Sequence, residues 1–201
     1  MTADPVEFFD SQFQRQVREG DFALNPFEQL ALPHVAGDVL DLGCGLGNLS
    51  LEAAHRGCRV TAVDASPTAV ERLRQAALRE QLPLQALQAD LGSFRIERDY
   101  DTIVAIGLLM FFRREHALAL LQQIGQRVAP GGRAIINVLV EGTTYLGMFQ
   151  PGEYHLFGAN ELVRAFAGWS VLADRRDSFP APEGTRKEFS TVIVQKVQGP
   201  R

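Results

Sequence analysis

The residues with the clearest chemistry are a run of glycines behind an acid, Asp41-Leu-Gly43-Cys44-Gly45-Leu-Gly47-Asn48. Glycine lets the chain turn sharply and lets a bound molecule approach the backbone. The apolar run 38–42 before it reads as a buried strand, and 48–56 after it reads as a helix closed by Gly57. The first amides of such a helix are unpaired donors at the positive end of its dipole. The spacing is G-x-G-x-G, with Asn48 where a dinucleotide-binding loop has its third glycine. The leading acid, Asp41, sits badly beside a pyrophosphate and well beside an ammonium group. S-adenosylmethionine carries an ammonium, a carboxylate and a sulfonium, and no phosphate.

Two further acids end the next two strands. Asp64, in Val63-Asp64-Ala65-Ser66, is placed to accept hydrogen bonds from both hydroxyls of a ribose. Asp90, in Ala89-Asp90-Leu91, is placed to accept from an adenine amino group, with the Leu91 amide donating to a ring nitrogen. Ligands of open α/β sheets bind at the carboxyl ends of the strands. Ile106 and Gly107, where strand four ends, complete the expected cofactor set with Gly43, Cys44, Gly45, Gly47, Asn48 and Ala65.

The elements that must position these residues alternate strand with helix. Strands are expected at 38–42, 59–63, 84–89, 100–106 and 133–140. Ser66-Pro67 opens a helix running to about 81, with Val70, Leu73, Ala77 and Leu78 on its apolar face. A helix over 115–128 turns Leu118, Leu121, Ile124 and Val128 inward, and the turn 129–132 stops it. A short helix at 159–166 follows. Two closing strands, at 169–173 and 189–196, flank a polar loop and pair antiparallel at one edge. The pattern is a doubly wound α/β domain with a mostly parallel sheet, residues 35–198. Residues 1–34 form a helical N-terminal extension or lid, whose Phe8, Phe9, Phe13 and Phe22 are most simply core-covering.

The chain has 201 residues, 46% of them hydrophobic, and a net charge of −4. That suits one packed domain and gives no basic footprint for nucleic acid. Cys44 and Cys58 form neither a CxxC pair nor a Cys/His cluster, so neither zinc nor any other metal is expected. The first residues lack a basic n-region, and no apolar stretch reaches the roughly 20 residues of a membrane span. The expected setting is cytoplasmic, as a monomer or homodimer with no membrane partner.

Asp41-Leu-Gly-Cys-Gly-Leu-Gly47, Asp64, Asp90 and the turn Ala129-Pro-Gly-Gly132 resemble the class I S-adenosylmethionine-dependent methyltransferases. The resemblance covers roughly residues 30–175. It implies a Rossmann-like seven-stranded sheet in the order 3-2-1-4-5-7-6 with the last strand antiparallel, and S-adenosyl-L-methionine as methyl donor. A narrower resemblance, to the tellurite-resistance methyltransferases, lies in 100–112, Glu161-Leu162, Phe166, Gly168-Trp169 and Phe189. The loop before the last strand lacks that family's His-Arg pair, and Arg186 is the arginine available there.

The acceptor is expected to be a small molecule. After strand four stands Ile106-Gly107-Leu108-Leu109, without the Asn/Asp-Pro-Pro-aromatic motif of amino-group methylators of adenine or glutamine. Neither cysteine follows a proline, as the nucleophile of cytosine methylators does. A thiol or a chalcogen oxyanion needs a dry pocket and a cation rather than a strong base. Arg186, with Arg176 behind it, is the candidate cation. Glu141, Tyr145 and Tyr154, from the aromatic segment 141–157, are the other acceptor-side candidates, and His155 and His116 the bases if the acceptor is a hydroxyl or amine. Other classes of function are an NAD(P)-linked oxidoreductase, which the missing third glycine opposes, and a non-catalytic module that only binds the cofactor.

Overall fold

The computed structural model describes residues 5–198. Its seven strands are β1 (Asp38–Leu42), β2 (Arg59–Asp64), β3 (Leu84–Gln88), β4 (Tyr100–Ile106), β5 (Val128–Leu139), β6 (Ser170–Pro180) and β7 (Arg186–Gln195). They form one sheet in the order β3-β2-β1-β4-β5-β7-β6. β7 runs antiparallel to both of its neighbours, and the other adjacent pairs are parallel. This is the architecture that the family resemblance implies.

Six α-helices flank the sheet: α1 (Pro5–Glu19), α2 (Pro26–Ala31), α3 (Asn48–His55), α4 (Pro67–Glu80), α5 (Arg114–Arg127) and α6 (Glu161–Ala165). The period-two alternation of strand side chains divides the core between the two faces. Val39, Val104, Ile135 and Ile193 meet Leu49 and Ala53 of α3 and Val70 and Leu73 of α4 on one face. Leu40, Ile103, Ile136 and Val192 meet Leu120, Leu121 and Ile124 of α5 and Leu162 of α6 on the other.

Local chemistry sets several boundaries. Ser66 caps α4 by accepting from the Ala69 amide at 3.0 Å, with Pro67 next in the chain. Asn25 and Glu28 form a reciprocal capping box on α2. Leu78, expected on the apolar face of α4, is 82% exposed; Ala69, Val70, Leu73, Ala76 and Ala77 bury that face instead. In α5 the buried stripe is Ala117, Leu120, Leu121 and Ile124, and Leu118 packs at its margin.

Two expectations for the second half are corrected. β5 begins at Val128, because Val128 pairs with Tyr100 and the 129–132 segment is taken up as an irregularity in the β4–β5 ladder. The polar loop expected between the closing strands is mostly strand: β6 and β7 pair from Ser170 with Gln195 to Pro180 with Arg186, leaving a short connection at 181–185. The antiparallel partner satisfies the inward-pointing backbone groups of this polar edge, so it needs no apolar alternation to be strand.

Among the described residues no helix is long and apolar enough to cross a membrane, and no cluster of His, Cys, Asp and Glu is arranged to hold a metal ion. Cys44 and Cys58 are both buried free thiols.

Candidate active site

A cleft of about 610 Å³ opens at the carboxyl ends of β1, β2, β4 and β5. One half is built on the loops after β1, β2 and β3. Asp41, Gly43, Cys44, Gly45 and Asn48 line it from the first, Asp64 and Ala65 from the second, and Asp90 and Leu91 from the third. Of the glycine loop, Gly47 alone is turned away. A Cβ there would stand 2.6 Å from Leu73 of α4, so Gly47 serves close packing and starts α3 from the left-handed region at φ 72°.

The loop is tied to the sheet and to Asp64. Gly43 and Cys44 donate their amides to the Val63 carbonyl at 2.8 and 3.1 Å. The Gly45 amide donates to Asp64 Oδ2, and the Ser66 amide donates to Asp64 Oδ1, both at 2.8 Å. Burial raises the Asp64 carboxyl above its ordinary range against the pull of these amides. Asp41 accepts from the Ser50 hydroxyl at 2.6 Å. Burial pushes Asp41 up to about 7; the Ser50 hydroxyl works against that rise, and the charges of Glu28 and Asp64 add to it.

Glu28, the capping-box residue of α2, lines this same half and is itself raised by burial. Its motif was visible as Asn25-x-x-Glu28, but nothing local showed that its charge would act on Asp41. Glu28, Asp41, Asp64 and Asp90 thus put four acids in this half of the cleft, and no basic side chain lines it among the described residues. Asp90 also closes its own loop, accepting from the Gly92 amide at 2.9 Å and the Ser93 hydroxyl at 3.1 Å.

The other half lies against the ends of β4, β5 and β7. Asn137 and Leu139, and Lys187 and Phe189 line it, with Met110, Phe111 and Phe112 from the turn after β4; Ile106 and Gly107, the expected cofactor contacts at the end of β4, line the same cleft. Phe9 and Phe13 of α1 and Phe27 of α2 roof it. The expectation that Phe8, Phe9, Phe13 and Phe22 cover the core is therefore corrected. α1 has no buried residue, Phe8 and Phe22 are exposed, and Phe9 and Phe13 face the cleft, where Phe9 packs edge-on against Phe111.

None of the four acceptor-side candidates, Arg186, Glu141, Tyr145 and Tyr154, lines the cleft. Arg186 pairs with Glu188 at 3.0 Å and is 62% exposed. Lys187 lines the cleft in its place, because successive side chains of a strand point to opposite faces and Lys187 shares a face with Phe189. Desolvation lowers the Lys187 ammonium below its ordinary value, and its Nζ lies 4.8 Å from the centroid of the Tyr145 ring. Tyr145 and Tyr154 belong to a packed cluster with Met110, Leu139, Met148 and Phe149, in which Tyr154 stacks on Phe149. Glu141 is exposed beyond the end of β5. His155 contacts Glu161 at 3.3 Å, His116 stacks on Phe112, and Arg176 is exposed on β6.

The methyltransferase domain family matches residues 39–132. Hemagglutinin 1 of Eikenella corrodens is 33% identical over 134 residues, 67% of this chain and 44% of its own length. Carboxy-S-adenosyl-L-methionine synthase of Erwinia tasmaniensis is 34% identical over 140 residues, 66% of this chain and 56% of its own length. The probable S-adenosyl-L-methionine-dependent methyltransferase TehB of Haemophilus influenzae is 29% identical over 134 residues, 67% of this chain and 46% of its own length. The crystal structure of TehB from Haemophilus influenzae superposes with a TM-score of 0.75 at 21% identity, covering 96% of this chain and 68% of that one. The chain spans about half the length of the curated relatives it matches.

Proposed function

We propose that the chain is a class I S-adenosylmethionine-dependent methyltransferase that methylates a small molecule held in the β4–β5–β7 half of the cleft. The observation that carries the reading is the charge polarity of one cavity. Glu28, Asp41 and Asp64 stand at one end, and Lys187 is the one cationic side chain among its described lining residues.

The acidic half fits the cofactor. Buried carboxyls with raised pKa values are stabilised by a cation brought beside them. S-adenosylmethionine brings an ammonium and supplies, from its sulfonium, an activated methyl group. Asp64 is assigned to the ribose hydroxyls, Asp90 and Leu91 to the adenine, and Asp41 with Glu28 to the ammonium end. Helices α1 and α2 act as a roof over the bound pair, with Phe9 and Phe13 closing it.

The acceptor half supports a soft, anionic nucleophile, a thiol or a chalcogen oxyanion. Its walls are aromatic and apolar, no histidine lines it among the described residues, and Lys187 offers a positive charge in a poorly solvated place. The role expected of Arg186 passes to Lys187. In-line displacement at an activated methyl needs alignment more than a strong base. Labelled methyl donor supplied with a panel of thiols, selenite and tellurite tests the reading. Methylation of at least one is expected; stabilisation by NADH and not by S-adenosylhomocysteine would overturn it.

A further inference from the structure

Helix α1 crosses the cleft without joining the core. Phe9, Gln12, Phe13 and Gln16, spaced three and four apart, line the cleft from one face of the helix, and α1 has no buried residue. Phe13 lies 3.2 Å from the Cβ position of Gly45, so α1 passes over the glycine loop. The packing of Phe9 on Phe111 and a polar contact fasten it there. Asp10 Oδ1 accepts from the Ser66 hydroxyl at 2.5 Å and from the Thr68 amide at 3.2 Å. Its other oxygen accepts from Gln14 Nε2 at 2.9 Å, one turn along α1. The contact sets a carboxylate at the positive end of α4.

Asp10 does not itself line the cleft. It acts on Ser66, which does. The Ser66 hydroxyl also accepts from the Ala69 amide as the cap of α4, and the Ser66 amide donates to Asp64 Oδ1. One serine thus joins the roof helix to the acid assigned to the ribose. The chain beyond α1 is held separately. The Arg72 guanidinium lies 3.9 Å over the Phe22 ring, Asn48 Nδ2 donates to the Ala23 carbonyl at 3.4 Å, and Phe27 of α2 packs on Phe189 with ring centroids 4.7 Å apart. Between these anchors and α1 stands Gly20, at φ 70°, where a Cβ would meet nothing within 4 Å. The geometry lets α1 swing about Gly20 while α2 stays in place.

We propose that Asp10 is a positioning residue that latches α1 over the cofactor, and so sets how fast S-adenosylmethionine enters and S-adenosylhomocysteine leaves. The proposal rests on the cofactor half assigned above and adds the control of exchange. The latch joins protein to protein, so it favours neither the bound nor the free state. Releasing it should speed both directions alike and leave the equilibrium in place.

Surface plasmon resonance on the full chain, with S-adenosylhomocysteine as the probe, reads association and dissociation separately. Asp10→Ala should raise both rate constants about tenfold, the scale of hydrogen bonds to a charged group, and keep Kd within about twofold. Asp10→Asn keeps an accepting oxygen without the charge and should fall between. A rise in dissociation alone, with Kd rising in step, overturns the latch, because that is what lost packing of the site would give. Unchanged rates in both variants overturn it too. In either case binding of S-adenosylhomocysteine to the unaltered protein keeps the cofactor reading; failure of the unaltered protein to bind overturns both. Hydrogen exchange is the second measurement. In Asp10→Asn the α1 amides should exchange faster with α2 unchanged, and α1 exchange as slow as in the unaltered protein overturns the latch.

Discussion

The Gly45 amide donates to Asp64 Oδ2 at 2.8 Å, which joins the glycine loop after β1 to the acid that ends β2. The Ser66 amide occupies the other oxygen of the same carboxylate. Asp64 therefore shapes the loop while facing the cleft. Asp64→Ala should weaken S-adenosylhomocysteine by about 1.5–3 kcal/mol, the scale of hydrogen bonds to a charged group. Calorimetry on the folded variant checks this, and unchanged affinity would remove Asp64 from the site.

Two glycines of one motif should fail in different ways. A Cβ on Gly47 meets Leu73 at 2.6 Å, inside the core. Gly47→Ala should therefore cost about 1–3 kcal/mol of stability through overpacking, on top of its strained backbone. A Cβ on Gly45 meets only Phe13 of the roof, at 3.2 Å, and projects into the cleft. Gly45→Ala should lower Tm less and S-adenosylhomocysteine affinity more. Thermal melts and titrations of both variants decide the matter; the reverse pattern would assign Gly45 to the turn alone.

Asp41 carries a pH signature. Its carboxyl rises from an ordinary 3.8 to about 7 in the folded protein, chiefly through burial. Between those values the folded chain holds a proton that the unfolded chain has released. Its contribution to stability is therefore full below about pH 4, falls as pH rises towards about 7, and levels off above that. Glu28 and Asp64 are shifted in the same direction. A cation bound beside Asp41 favours its charged form, so S-adenosylhomocysteine should bind with proton release below about pH 7. Melts of the ligand-free protein across pH, and calorimetry in two buffers of different ionisation heat, read the two effects. Asp41→Asn should flatten the slope; an unaltered profile in that variant would show that other groups set it.

Adjacent residues on β7 should differ sharply in the reaction. Lys187→Met should lower kcat/KM for an anionic acceptor about ten- to hundredfold, the range for a charge-assisted contact, and leave cofactor affinity nearly intact. Arg186→Ala should change kcat/KM by less than about twofold, because its exposed pair with Glu188 contributes little. Steady-state kinetics on any active acceptor separate the two, and a larger loss from Arg186→Ala would return the cation role to it.

The half of the cleft proposed to hold the cofactor was largely legible in the chain because its signals are local. Asp41, the glycines and Asn48 lie at one strand–helix junction, and Asp64 and Asp90 end the next two strands, so the topology of an open α/β sheet brings them to one edge. The acceptor half was not. It is assembled from β4, β5, β7 and the two N-terminal helices, which meet only through tertiary packing. Glu28 reads locally as a cap, and only the docking of α2 brings its charge to bear on Asp41. Arg186 and Lys187 are neighbours of like charge. Composition alone cannot choose between them, because a shift of one residue exchanges the faces of a strand. The β5–β7 and β6–β7 ladders set that parity, bringing Lys187 to the cleft with Phe189 and leaving Arg186 paired with Glu188.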